Sequence, residues 1–135
     1  MEKRNQTRGE RNNNPCNIRR STRQVWKGET KGADKSFCTF SERKYGYRAA
    51  LIIIRSYMKR GLNTIEKIIS TWAPSVENNT QNYIRFVSSS TGIDSRKALT
   101  FGDADALCRI VQAMARMESG LREDIELIQQ AYKEV

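Results

Sequence analysis

The apolar residues of this chain change their spacing near Glu42, and that change divides the fold into two unlike parts. Beyond it they recur at helical intervals: Tyr47, Ala50, Leu51, Ile54 and Met58 make one stripe, closed by Gly61. Before it, Ile18, Val25, Trp26, Phe37 and Phe40 stand in short groups separated by Gly28 and Gly32. Such groups predict an irregular loop plus a small β-hairpin. The expected class is therefore mainly α (α+β), with the β-hairpin near the N-terminus and helices carrying the core.

Three further helices and a closing segment follow from the same spacing. "NTIEKIISTWAP" predicts a short helix with Asn63 as cap, Glu66 three residues on as in a capping box, and Pro74 as the stop. "ENNTQNYIRFVSSSTG" predicts the next, capped by Asn79 or Thr80, with Tyr83, Ile84 and Val87 inward and Gly92 ending it. Thr100 and Asp103 open another, which runs to Gly120; Leu121, Ile125, Ile128 and Ala131 then form a last amphipathic segment. Residues 1–11 are charged and rich in Asn and Gln, with no apolar period, and are read as a disordered basic tail ahead of one domain over 12–135.

Charge narrows the partners. The chain carries a net charge of +9, and residues 1–60 hold 16 Lys/Arg against 5 Asp/Glu, so the excess lies in the first half. A polyanion is the expected contact, either nucleic acid or the anionic polymers of a bacterial wall. On the first long helix Lys44, Arg48, Arg55 and Lys59 share one side, within roughly 60° at 100° per residue; such a stripe is by default a solvated face. No signal peptide or transmembrane run is visible, which gives a protein expected in the cytoplasm when synthesised.

The reactive inventory is short. There is no histidine, which removes Cys-His and Ser-His nucleophile pairs and most zinc hydrolase designs. Cys16, Cys38 and Cys108 are odd in number and lack CxxC spacing, which argues against a disulfide framework and a zinc knuckle. Neither metal nor cofactor is implied. Catalysis is left to carboxylates, Tyr, Lys or the backbone.

One carboxylate stands out. Leu107, Ile110, Val111 and Met114 keep one side of a helix turned inward, and Glu118 continues that side. Burial and the negative end of the helix dipole both raise the pKa of a carboxyl placed there, as an acid that protonates a leaving sugar oxygen requires. Periodicity alone favours the plainer alternative, a helix-end Glu that turns to solvent or pairs with an arginine.

The segment "AMARMESG" resembles the AxxxESG stretch that carries the catalytic glutamate in lysozyme-like lytic transglycosylases and in bacterial cell-wall glucosaminidases. "NNNPCNIR", "DKSFCTF", "YGYRAALIIIRSY" and "WAPSVENNTQNY" are similar to later pieces of the glucosaminidases, in the same order, but here the glutamate helix comes last. That order is what a circularly permuted lysozyme-like domain would show. The set RNNNPxNIR, WxG, FxxF, YGYRA, NTIxxIIxxWAPxxENxTxxY and terminal ExG also resembles a family of phage and prophage virion structural proteins, over roughly residues 11 to 120. That family usually has Gly where Cys16 stands and often HENG where this chain has MESG.

What the resemblance implies is a peptidoglycan glycosidase of lytic-transglycosylase or muramidase type, phage or mobile-element derived, acting on glycan strands and associated with a virion or delivered to the wall. Glu118 would be the general acid and then base, with Asn13, Asn14, Asn17, Arg19, Trp72, Glu77, Asn78 and Tyr83 holding the saccharide. Each has a plainer reading: the asparagines as Asx turns around Pro15, Trp72 as core, Glu77 and Asn78 as a turn and cap. Glu29, Asp34 and Glu77 are the candidates for the second carboxylate that a hydrolase needs; a lytic transglycosylase works with one. The rival class is a non-catalytic virion or DNA-associated protein binding polyanions through its basic half, and a third is a degenerate wall binder.

Overall fold

The computed structural model describes residues 5–74 and 77–135. It is mainly helical with one small antiparallel sheet, in the order α1 (Arg8–Arg11), β1 (Glu29–Thr30), β2 (Thr39–Phe40), α2 (Arg43–Lys59), α3 (Ile65–Trp72), α4 (Glu77–Thr91), α5 (Ala104–Ser119) and α6 (Ile125–Lys133). The strands pair Glu29 with Phe40 and Thr30 with Thr39, and an isolated bridge joins Arg19 to Phe37, so the expected hairpin is a ribbon with little regular pairing.

The stripe on α2 packs as its spacing requires: Tyr47, Ala50, Leu51 and Ile54 are fully buried. Each Leu or Ile placed there stabilises by about 1.5–3 kcal/mol. Leu62 N–H reaches back to the Tyr57 carbonyl at 3.0 Å while Gly61 takes φ +82°, and this closes the helix where the glycine predicted. Helix α5 packs against α4 and α6, α6 also against α2, and α3 against α4. Its inward residues Leu107, Ile110, Val111 and Met114 join one hydrophobic cluster with α2 and α3. Cys16, Cys38 and Cys108 are buried free thiols, and burial pushes Cys38 up to about 12.

Four local expectations are corrected. Residues 8–11 are not part of a disordered tail: Thr7 and Glu10 form a reciprocal capping box over α1, and Gly9 is buried against the end of α5. A Cβ on Gly9 would sit 1.9 Å from the Ser119 Oγ, so the glycine permits the contact. Met1 to Arg4 lie outside the described residues. The cap of α3 is Thr64, whose hydroxyl accepts from Lys67 N–H at 3.1 Å. Asn63 is committed elsewhere, its amide donating to the Leu99 carbonyl at 3.2 Å and its own carbonyl accepting from Leu99 N–H. Asn79 and Thr80 fall inside α4, which begins at Glu77, and the Thr80 hydroxyl donates to the Ala73 carbonyl at 2.8 Å.

The fourth correction concerns the basic side of α2. Lys44 pairs with Glu134 at 2.9 Å, Arg48 donates to the Glu134 carbonyl at 3.0 Å, and Arg55 lies over the Phe101 ring. Lys44 and Arg48 fasten the C-terminal end of the chain to α2, and Arg55 is held against the loop before α5. Of the four residues, Lys59 alone is left exposed at the helix end.

Candidate functional site

The Asn-rich turn owes its shape to its side chains. Asn13 and Asn17 both take left-handed backbone angles, φ 51° and φ 54°, which asparagine tolerates better than most residues. Asn14 is fully buried; its amide donates to the Ile18 and Cys38 carbonyls at 2.9 and 3.0 Å, and its Oδ1 accepts from Ile18 N–H at 2.9 Å. Asn12 donates to Asp34, and Asn13 donates to the Phe40 carbonyl at 3.1 Å. These three asparagines staple the turn to the ribbon. Gly46 of α2 lets the turn come close, because a Cβ there would lie 2.5 Å from the Asn13 carbonyl.

Asn17 points the other way. Its amide donates to the Glu118 carbonyl at 3.1 Å and to the Glu118 carboxylate at 3.3 Å, across 101 positions of sequence. The neighbouring Ser119 donates to the Pro15 carbonyl at 2.6 Å, and the Thr7 hydroxyl donates to the Ser119 carbonyl at 2.9 Å. The end of α5 is thus clasped by the asparagine turn and by the segment leading into α1. The turn and the glutamate helix, far apart in sequence, meet within hydrogen-bond distance.

A cleft of ≈ 600 Å³ opens at this junction. Asn17, Ile18, Arg19 and Phe37 line it from the turn and ribbon, Ile53 and Tyr57 from α2, Trp72, Ala73 and Pro74 from the end of α3, and Glu118 from α5. Its volume falls in the range of small-ligand sites. The Tyr57 and Trp72 rings meet edge to face with centroids 6.5 Å apart, while Phe37 carries the Arg8 and Arg19 guanidinium groups at 4.4 and 4.8 Å. Aromatic rings beside a carboxyl suit a ligand with C–H faces and hydroxyl edges.

Glu118 is half-buried and, among the described residues, makes no ion pair. Burial raises its pKa; the Asn17 amide opposes that rise, as do the Tyr83 hydroxyl and the Trp72 indole, which act from beyond hydrogen-bond geometry. Tyr83 does not line the cleft. It is buried with its hydroxyl lacking a hydrogen-bond partner, and burial and then the Glu118 charge drive its pKa far up. The Asn17 Oδ1 is likewise buried without a partner. Unsatisfied buried polar atoms are few in folded proteins and call for a cause; here both lie beside one carboxyl.

The predicted site residues therefore separate. Asn17, Arg19, Trp72 and Glu118 share the cleft, and Tyr83 supports it from the core. Asn14 is structural, and Asn13 borders a different depression with Arg43 and Lys44. Glu77 and Asn78 open α4 instead of forming a turn before it, and their side chains lie outside the described residues. Phe37, Ile53 and Tyr57 escaped the sequence reading; Tyr57 stands off the buried stripe of α2, and an aromatic in that position was the available signal. Of the proposed second carboxylates, Asp34 is held well below the usual range by Arg8, and Glu29 accepts from Trp26 N–H at 3.0 Å; neither lines the cleft.

No protein-family model matches the chain. Over 117 residues it is 41% identical to Protein P5 of Pseudoalteromonas phage PM2, an alignment covering 84% of this chain and 71% of that protein. The chain belongs to the phage P5 family. Its resemblance to phage proteins is thereby shown, and in this P5-family chain no helix of the described residues is long and apolar enough to cross a membrane.

Proposed function

We propose that this P5-family chain cleaves the glycan strands of peptidoglycan as a circularly permuted lysozyme-like domain, with Glu118 as its acid and base, and that it serves a phage-derived particle. The observation that carries the reading is the state of Glu118: a half-buried carboxyl with a raised pKa which, among the described residues, has no paired cation and is the single acidic side chain lining a cleft flanked by aromatic rings. A protonated carboxyl in such a place can deliver its proton to a glycosidic oxygen.

With one carboxylate, the chemistry closes as a transglycosylation. Glu118 protonates the leaving sugar oxygen as the C–O bond breaks. Its carboxylate then takes the proton of the substrate's own 6-hydroxyl, whose oxygen closes on the anomeric carbon. The product is an anhydro ring, and Glu118 is again protonated. Asn17 fixes the rotamer of Glu118, Trp72 and Tyr57 offer apolar surface to sugar rings, and Arg19, held over the Phe37 ring, offers donors at the edge. Asn13 and Asn14 act by shaping the turn.

Mass spectrometry of purified peptidoglycan after incubation tests this. Anhydro-muramic ends are expected, absent with Glu118→Gln. Reducing ends would replace the transglycosylation by hydrolysis, and no products at all would leave a wall-binding or virion structural protein on the same fold.

A further inference from the structure

We propose that the ribbon between Arg19 and Phe37 is a docking surface for the free carboxylates of the peptide branches carried by the wall polymer, held beside the cleft while the glycan lies within it. The placement rests on the glycosidase reading above; the test does not. The ribbon exposes Arg19, Arg20, Arg23, Lys27, Lys31 and Lys35. Its two acids, Asp34 and Glu29, are already spent, on Arg8 and Asn12 and on the Trp26 N–H respectively. Lys27 has a long 3.8 Å contact with Glu134, and the other five cations make no ion pair among the described residues. The contrast is with α2, where Lys44 and Arg48 are bound to the C-terminal end.

The charge also has a direction. Arg19 and Phe37 form a β-bridge, and both line the cleft. One step outward, Arg20 N–H donates to the Ser36 carbonyl at 2.9 Å, which sets Arg20 opposite Ser36 on the adjoining rung, with exposed Lys35 next along the returning strand. Positive charge therefore starts at the cleft and runs away from it. A wall glycan has branches that end in carboxylates, so a strand seated in the cleft would hang those groups along this edge. Exposed ammonium and guanidinium groups attract such carboxylates with a force that salt screens. Continuity between the charge and the cleft is what favours carboxylate branches over nucleic acid.

The test uses the full chain carrying Glu118→Gln, so that cleavage cannot affect retention. Retention on purified sacculi is compared for this protein, for the same protein with Arg20→Gln, Arg23→Gln and Lys35→Gln, and for a control with Lys59→Gln, Lys67→Gln and Lys97→Gln. The ribbon triple is expected to lose about tenfold or more in retention at low salt and to flatten the salt dependence, while the control loses less than about twofold. Sacculi whose carboxyls have been converted to amides are expected to bind the unaltered ribbon as weakly as native sacculi bind the triple. Equal losses in ribbon and control variants would overturn the proposal, as would full retention on amidated sacculi. So would DNA retention that depends on the ribbon while sacculus retention does not. If wild-type protein yields no glycan products yet these binding results hold, the glycosidase reading falls and the ribbon surface stands.

Discussion

Two glutamates five positions apart at the end of α5 and the loop after it show how one residue type is put to opposite uses. Glu123, with a side chain 8% exposed, accepts from Arg43 at 2.7 and 3.2 Å and from the Tyr47 hydroxyl at 2.9 Å. Every cost of burying that carboxylate is met by a donor, and the cation belongs to the helix it fastens. Glu118 has an amide and, among the described residues, no cation, so its burial is only partly offset and its proton is held more tightly. A buried carboxylate with complete partners is a structural tie. One left short of them, beside an open cleft, is where reactivity can be kept.

Neutralising each carboxylate in turn separates the two roles. Glu118→Gln is expected to lower wall cleavage by about a thousandfold or more, within the usual worth of a general acid, while the protein stays folded. Undiminished release of muropeptides would remove Glu118 from the chemistry. Glu123→Ala should do the reverse, leaving cleavage per folded molecule near wild type while lowering unfolding free energy by about 2 kcal/mol, chiefly because the Tyr47 hydroxyl loses its acceptor. Urea midpoints measure this, and an unshifted midpoint would mean the pair is not a tie.

Asn17→Gly isolates the amide that touches Glu118. Glycine keeps the left-handed backbone angle and deletes the amide, so the loss falls on the contact to Glu118 and not on the turn. Cleavage should drop about tenfold, and because the amide opposes the raised pKa, the alkaline limb of the pH profile should move to higher pH. An unmoved limb would show that Asn17 does not tune the carboxyl.

The smallest effect is thermal. A carboxyl whose folded pKa is raised contributes stability that is fully present below its ordinary pKa and is lost as pH rises through the folded value. Wild-type protein bears that loss near neutrality and Glu118→Gln does not. The variant should therefore melt about 3 °C higher at neutral pH, with the gap closing below the ordinary glutamate range. Equal melting at both pH values would place the carboxyl in solvent.

Much of this was legible before any coordinates. The stripe Tyr47–Leu51–Ile54, the stop at Gly61 and the inward phase of α5 are consequences of period and of glycine's freedom, which are local and carried by neighbours in the chain. The resemblance grouped Glu118 with the asparagine turn, and of that turn's predicted residues Asn17 lines one cleft with Glu118. What it could not divide was the turn itself: Asn14 and Asn17 are the same residue three positions apart, yet one is buried among backbone groups of the ribbon and the other reaches the end of α5. That division depends on which partner arrives, and the partner is 101 positions away for Asn17.

The sequence by itself determined the helical class, the core-facing phase of α2 and α5, and the excess of positive charge in the first half, because each follows from residue type and spacing. Tertiary structure alone decided which charges remain available. Lys44 and Arg48 are occupied because α6 ends beside α2, Arg8 and Asp34 because α1 folds against the ribbon, and the ribbon cations other than Lys27 are left without an ion pair among the described residues because Asp34 is tied to Arg8 and Glu29 to the Trp26 N–H. A charge in a sequence is a formal quantity. Whether it binds anything outside the protein depends on which desolvated partner it already has, and that is settled when distant segments pack.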